Sequence, residues 1–169
     1  MEPVDRCPVI TLLSRGEVLY NIPGDDKMDV LSALVERLQL PDGVDRDRVI
    51  EEILRRENIA STAIGQGIAI PHPQSAASLQ MPESVLALAF LEHPVDFGAP
   101  DDLPVQAIFV ILSRDPGQHL RLLAHLSRIL QKAEVIDALA RQLPANEILT
   151  VLRRVETDLH DRYAATAAR

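Results

Sequence analysis

The feature that most constrains this chain is a pair of apolar runs near its middle. Val85 to Leu91 contains no polar residue, and Val105 to Leu112 contains only Gln106. Both have the length of a strand. A strand with one face in water alternates apolar and polar residues, because successive side chains point to opposite faces. Runs that are apolar at successive positions need cover on both faces, as in a layered α/β domain.

The covering elements are written on either side. Val18-Leu19-Tyr20-Asn21-Ile22 reads as a strand closed by Pro23-Gly24, and Asp25 or Asp26 then caps a helix to about Leu38. Met28, Leu31, Leu34, Val35 and Leu38 form its apolar stripe. Pro41-Asp42-Gly43 is a turn, and Asp45 opens a second helix ending near Glu57, with Val49, Ile50, Ile53 and Leu54 on one face. Gly65 to His72 reads as a glycine-introduced strand stopped by Pro71. Residues 73–84 form a polar loop, and His93 to Pro104 is a connection. After Asp115-Pro116-Gly117 come three helical pieces, at about 118–132, 134–142 and 145–155. Pro3, Pro8 and Gly16 mark residues 1–15 as an irregular lead-in, and residues 156–169 read as a tail with little core-forming pattern. The expected fold class is α/β: a single-domain three-layer sandwich with a mixed sheet covered by helices, occupying residues 16–155.

Composition narrows the function. The 169 residues carry 17 Lys and Arg against 25 Asp and Glu, a net charge of −8. That balance argues against nucleic acid or an anionic membrane as the main partner. Aromatics are 3% with no Trp, so no base-stacking platform is expected. No run approaches the ~20 apolar residues of a membrane span, and the N-terminal stretch lacks the apolar region of a signal peptide. Cys7 is the single cysteine, which excludes an intrachain disulfide or a thiolate zinc cluster and fits a reducing cytosol.

Five histidines, His72, His93, His119, His125 and His160, are the candidates for chemistry. The chain has no HExxH zinc motif, no GxSxG elbow, and neither GxGxxG nor GxxxxGK[ST]. His72 stands apart because Pro71 ends the strand in front of it. Its imidazole is therefore presented at a strand terminus, among the small residues Ala63, Gly65, Gly67 and Ala69. Neutral imidazole is a competent nucleophile near pH 7; on these residues alone, a half-exposed strand-end histidine is the competing reading. His119 begins a helix, and His125, six residues on, lies roughly 240° around it and so on another face. Two histidines without a third ligand make a poor metal site, so no metal and no cofactor are expected.

The stretch from Arg56 to His72, RENIASTAIGQGIAIPH, closely resembles the signature of the mannitol/fructose/nitrogen-type enzyme IIA domains of the bacterial phosphoenolpyruvate-dependent phosphotransferase system. That signature reads RE-x3-STGIG-x-GIAIPH. The blocks PVDFGAPDDLPV (residues 94–105) and QHLRLLAHL (118–126) resemble the family too, so the likeness spans about residues 16–155. It implies an α/β sandwich with a mixed sheet. It also implies His72 as phosphoryl acceptor, His119 as the second active-site histidine, and Arg56 as an arginine near the phosphoryl group. Ala63 stands where the signature has Gly, and Pro73 where many members have Gly.

The implied activity is a cytoplasmic histidine phosphotransferase. A histidine-phosphorylated carrier protein of the HPr type would be the donor, and an enzyme IIB or a regulated protein the acceptor. The alternative is a regulatory module of the nitrogen-related branch that works through partner binding without sugar transport. We expect His72 and His119 to share a shallow depression, with the end of the His119 helix helping to hold phosphoryl oxygens. Ile64, Ile68, Pro71, Pro73 and Ala76 are expected to rim it.

Overall fold

The computed structural model describes residues 8–167; Cys7 and the rest of the first seven residues lie outside that range. Its elements run α1 (Pro8–Arg15), β1 (Val18–Ile22), α2 (Lys27–Arg37), α3 (Arg46–Ile59), β2 (Ala63–Gly65), β3 (Ile68–Ala69), β4 (Val85–Val95), β5 (Val105–Leu112), α4 (Pro116–Ile129), α5 (Ala133–Ala140) and α6 (Ala145–Ala167). The strands form one mixed sheet in the order β1-β4-β5-β3-β2, with β1 parallel to β4, β4 antiparallel to β5, and β3 parallel to β5.

The two apolar runs are the central strands, β4 and β5, and their side chains divide by parity. Ile108, Val110 and Leu112 of β5 join Ala87 and Ala89 of β4 in a core beneath α2 and α3, and the β4–β5 register shift brings Val105 to the same face. Phe109 and Ile111 join Leu86, Leu88 and Phe90 in a second core beneath α1, α4, α5 and α6. The period of two in the strands thus builds both inner faces of a three-layer sandwich. Phe90 is fully buried and stacks on Tyr20 with ring centroids 5.1 Å apart, so Phe90→Ala should cost roughly 3–5 kcal/mol.

Two segments differ from the sequence reading. Residues 8–15, expected to be irregular, form α1. Pro8 starts that helix at a position where a missing N–H costs nothing, and Val9, Ile10 and Leu13 face the core. The first-turn donors are met from across the chain: the buried Glu156 accepts from the Val9 and Ile10 amides at 3.0 and 2.9 Å. Glu156 is the first residue of the expected tail. The tail instead continues α6, anchored at this point. A smaller difference concerns residues 65–70, expected as one strand, which are the turn and second arm of the β2–β3 hairpin. Among the described residues, no helix is long and apolar enough to cross a membrane.

Candidate functional site

His72 follows β3, and His119 lies in the first turn of α4, which follows β5. Because β3 and β5 are adjacent and parallel, with Ile68 opposite Ala107 and Ala69 opposite Ile108, both histidines emerge from the same end of the sheet. The ladder continues one step further, where the Ile111 amide donates to the Pro71 carbonyl at 3.1 Å. The imidazole centroids of His72 and His119 are 4.9 Å apart, with the rings tilted by 51°. His93, His125 and His160 belong to other parts of the surface; His93 sits beside Glu92, and His125 lies 4.0 Å from Glu156.

Each imidazole is held differently. Nδ1 of His72 is 2.8 Å from the Ile70 carbonyl oxygen. A carbonyl only accepts, so Nδ1 carries the proton of the neutral ring and Nε2 keeps its lone pair. Nδ1 of His119 lies 3.2 Å from the hydroxyl of the buried Ser113, a group able to donate or accept. Partial burial lowers the pKa of both histidines. For His72 the Ile70 bond opposes that shift and the positive charge of Arg56 adds to it. For His119 the His72 ring and Arg56 both add to it. The lowered pKa favours the neutral form of both rings.

Arg56, in the last turn of α3, donates from one terminal nitrogen to the Ala60 carbonyl at 2.7 Å. It lines, with His72, a hollow of about 400 Å³ whose other walls include Ile64, Ile70, Leu120, Leu123 and Ala124. A second hollow of about 350 Å³, lined in part by Arg15, Glu17, Ser84 and Gln118, contains neither histidine. His72 lines the first hollow and His119 lines neither. Of the three candidate residues, His72 and Arg56 alone therefore wall the depression expected for both rings, with the His119 ring beside it.

Two expectations about the surroundings are corrected. Of the five residues expected at the rim, only Ile64 is exposed, at 45%; Pro71, Pro73 and Ala76 are buried, and Ile68 is drawn into the core beneath α4. The apolar rim comes instead from Ile64 and, across the hollow, Leu120 at 70% exposure. The start of α4 also offers an anion less than its position implies. Pro116 has no N–H, and Asp115 takes the Gln118 amide with its side chain at 2.8 Å and the His119 amide with its carbonyl at 3.0 Å.

The turn with Ala63 in place of Gly carries no strain, since Ala63 is not among the residues at positive φ. The left-handed positions of the hairpin are Gly65, Gln66 and Gly67, at φ of 93°, 55° and 74°. Gln66 tolerates this conformation because its amide donates to Asp101 at 2.6 Å, and a Cβ on Gly65 would lie 2.9 Å from that same carboxylate. Sequence reasoning left Asp101, Ser113, Glu57 and Thr62 without roles. Asp101 lies in the second block of the resemblance and Glu57 and Thr62 in the first, so the motif itself was the available signal. For Ser113, buried at the end of an apolar run, spacing carried none.

Residues 11–155 match the family described as "Phosphoenolpyruvate-dependent sugar phosphotransferase system, EIIA 2". A nitrogen regulatory protein of Pseudomonas aeruginosa is 37% identical over 142 residues, covering 82% of this chain and 89% of that protein. Among solved structures, the nitrogen regulatory protein IIA-Ntr of Neisseria meningitidis superposes with a TM-score of 0.72 at 27% identity, over 85% of this chain and 98% of that one. Escherichia coli enzyme IIA-mannitol, in a complex with phosphorylated enzyme IIB-mannitol, superposes with a TM-score of 0.66 over 80% of this chain and 93% of that one. At 21% identity that likeness is one of fold.

Proposed function

The chain belongs to the EIIA 2 family of the phosphoenolpyruvate-dependent sugar phosphotransferase system, and from that premise we propose that His72 accepts a phosphoryl group on Nε2 from a histidine-phosphorylated carrier protein of the HPr type. Family membership gives phosphotransfer in general terms. The observation that carries the finer reading is the His72 imidazole, with Nδ1 committed to the Ile70 carbonyl at 2.8 Å, lying 4.9 Å from the His119 ring.

The Nε2 lone pair attacks phosphorus, a new N–P bond forms, and the donor's N–P bond breaks with its electron pair returning to the donor ring. No base is required, because Nε2 carries no proton to remove. As Nε2 gives up electron density, positive charge builds on the ring, and the Ile70 carbonyl accepts a strengthening bond from Nδ1–H. The transferring group has a loose transition state, so positioning and charge stabilisation dominate. The imidazole of His119 and the guanidinium of Arg56 supply donors for its oxygens, and the guanidinium is always charged and forked.

The exposed side chains of Ile64 and Leu120 suit close docking of a protein donor, and a partner IIB or a regulated protein would use the same face. We read residues 16–155 as the phosphotransfer domain and its compartment as the cytoplasm. The similarity to the Pseudomonas nitrogen regulatory protein favours the regulatory branch, in which the phosphorylation state of His72 selects a bound partner. Incubation with phosphoenolpyruvate, enzyme I and the carrier protein, followed by intact mass, tests the reading. One added phosphoryl group, lost in acid and kept in base, is expected. No addition, or label that persists in acid, overturns it.

A further inference from the structure

The bond that sets the His72 tautomer rests on a carbonyl, and that carbonyl is fixed from both sides. On one side, the Pro71 carbonyl accepts from the Ile111 amide at 3.1 Å. On the other, the Ile70 amide donates to the Thr62 carbonyl at 3.0 Å. Proline at 71 further confines Ile70 to extended backbone. The Ile111 anchor lies on the central strand β5, whereas the Thr62 anchor is the residue before β2, one step beyond the Ala63–Ala69 pair, where the chain leaves the edge of the sheet.

What holds it is Glu57. This carboxylate is 1% exposed and accepts three bonds from one residue: the Thr62 amide to Oε1 at 3.2 Å and to Oε2 at 3.1 Å, and the Thr62 hydroxyl to Oε2 at 2.6 Å. Lys27, the first residue of α2, faces it from 3.8 Å. A buried carboxylate is costly unless paired and bonded, so this one fixes its partners wherever it is satisfied. It sits in the last turn of α3, one residue after Arg56, and so ties the helix bearing the arginine to the hairpin bearing the histidine.

We propose that Glu57, acting through Thr62 and Ile70, is a positioning residue that sets the Nδ1–H tautomer of His72 and thereby makes Nε2 the acceptor atom. The chain runs from the Glu57 carboxylate to Thr62, from the Thr62 carbonyl to the Ile70 amide, and from the Ile70 carbonyl to His72 Nδ1. When the first link is lost, the Ile70 peptide turns more freely, the Nδ1–H bond loosens, and the ring samples the opposite tautomer, whose Nε2 carries a proton and cannot attack. Lys27 balances the buried charge. This inference rests on the proposed role of His72 for its kinetic consequence, though not for the tautomer itself.

The test uses the full chain, uniformly labelled with nitrogen-15, with imidazole nitrogen shifts and phosphoryl acceptance measured on the same samples. In the wild type above the His72 titration, a protonated Nδ1 and a bare Nε2 are expected. In Glu57→Gln, and in Thr62→Val, which removes the hydroxyl bond and leaves the two amide bonds, the two nitrogen shifts should move toward each other, and acceptance should slow roughly tenfold, the scale of losing one charge-assisted bond. Thr62→Ser, which keeps the hydroxyl, should restore both readouts. A purely structural role would lower the melting temperature and leave the ring shifts where they are. Folded Thr62→Val with wild-type ring shifts or wild-type rate overturns the proposal, as does Thr62→Ser impaired equally with Thr62→Val. If Glu57→Gln fails to fold, the Thr62 pair decides the matter alone. A wild type that takes no phosphoryl group at all defeats the assignment of His72 as acceptor, while its ring shifts still report on the tautomer.

Discussion

The strand end at His72 and the helix start at His119 place two identical side chains 4.9 Å apart and treat them differently. His72 is bonded to a backbone carbonyl, which can only accept and which the parallel ladder keeps in place. His119 is bonded to the Ser113 hydroxyl, which rotates and either gives or takes a proton. One ring is therefore locked in a single tautomer and the other is free to change. A nucleophile benefits from the lock, since its lone pair is always on the same atom. A group that donates to phosphoryl oxygens arriving on one protein and leaving to another benefits from the freedom.

The largest effect should come from the locked ring. His72→Gln keeps polarity and approximate size but removes the nucleophile, so intact mass should show no phosphoryl addition while the folded spectrum is retained. Full-stoichiometry labelling of that variant would break the comparison at its root. His119→Gln should leave labelling possible but slow it by about 10²–10³-fold, the scale for losing one preorganised donor. A complete loss would mean that His119 is itself a carrier. Arg56→Lys keeps the charge and loses the fork, so acceptance should slow by roughly 10–100-fold as a charge-assisted bond is lost.

Titration sharpens the contrast further. Burial, with Arg56, holds both histidines below the ordinary imidazole value of ~6.5. Acceptance should be flat at neutral pH and fall as pH drops through the depressed His72 pKa, because a protonated Nε2 has no lone pair. Stability shares the sign. A folded pKa below the unfolded one means that the unfolded chain binds protons first, so stability present above ~6.5 is lost as pH falls through the folded value. Since the His72 ring is one cause of the His119 shift, His72→Gln should raise the His119 midpoint toward its ordinary position, which NMR titration reads directly.

Smallest of all is Ser113→Ala. It removes one neutral bond from a ring that has other orientations open, and should slow acceptance by only about 2–10-fold. An effect as large as that of His119→Gln would show that His119 is locked after all.

Much of this was written locally. The parity of Ala107 to Leu112 determines two covered faces, because consecutive strand residues point apart whatever surrounds them. Asp26, Asp45 and Asp115 cap their helices through bonds spanning two or three residues, and these too belong to the sequence. His72 at a proline-stopped strand end, and the motif running back to Arg56, were legible for the same reason. Tertiary structure decided what depends on distant partners. Pro8 looked like a breaker and is a helix start, because Glu156, 147 positions from Val9, supplies the acceptor that α1 needs. Ile68 was drawn into the core beneath α4, and the hairpin that carries it is held by Asp101 from 35 positions beyond Gln66. The meeting of His72 with His119 rests on the parallel pairing of β3 with β5, a pairing between strands far apart in sequence that neither strand's residues specify alone. Local pattern fixes which way a side chain points; only long-range pairing fixes what it meets there.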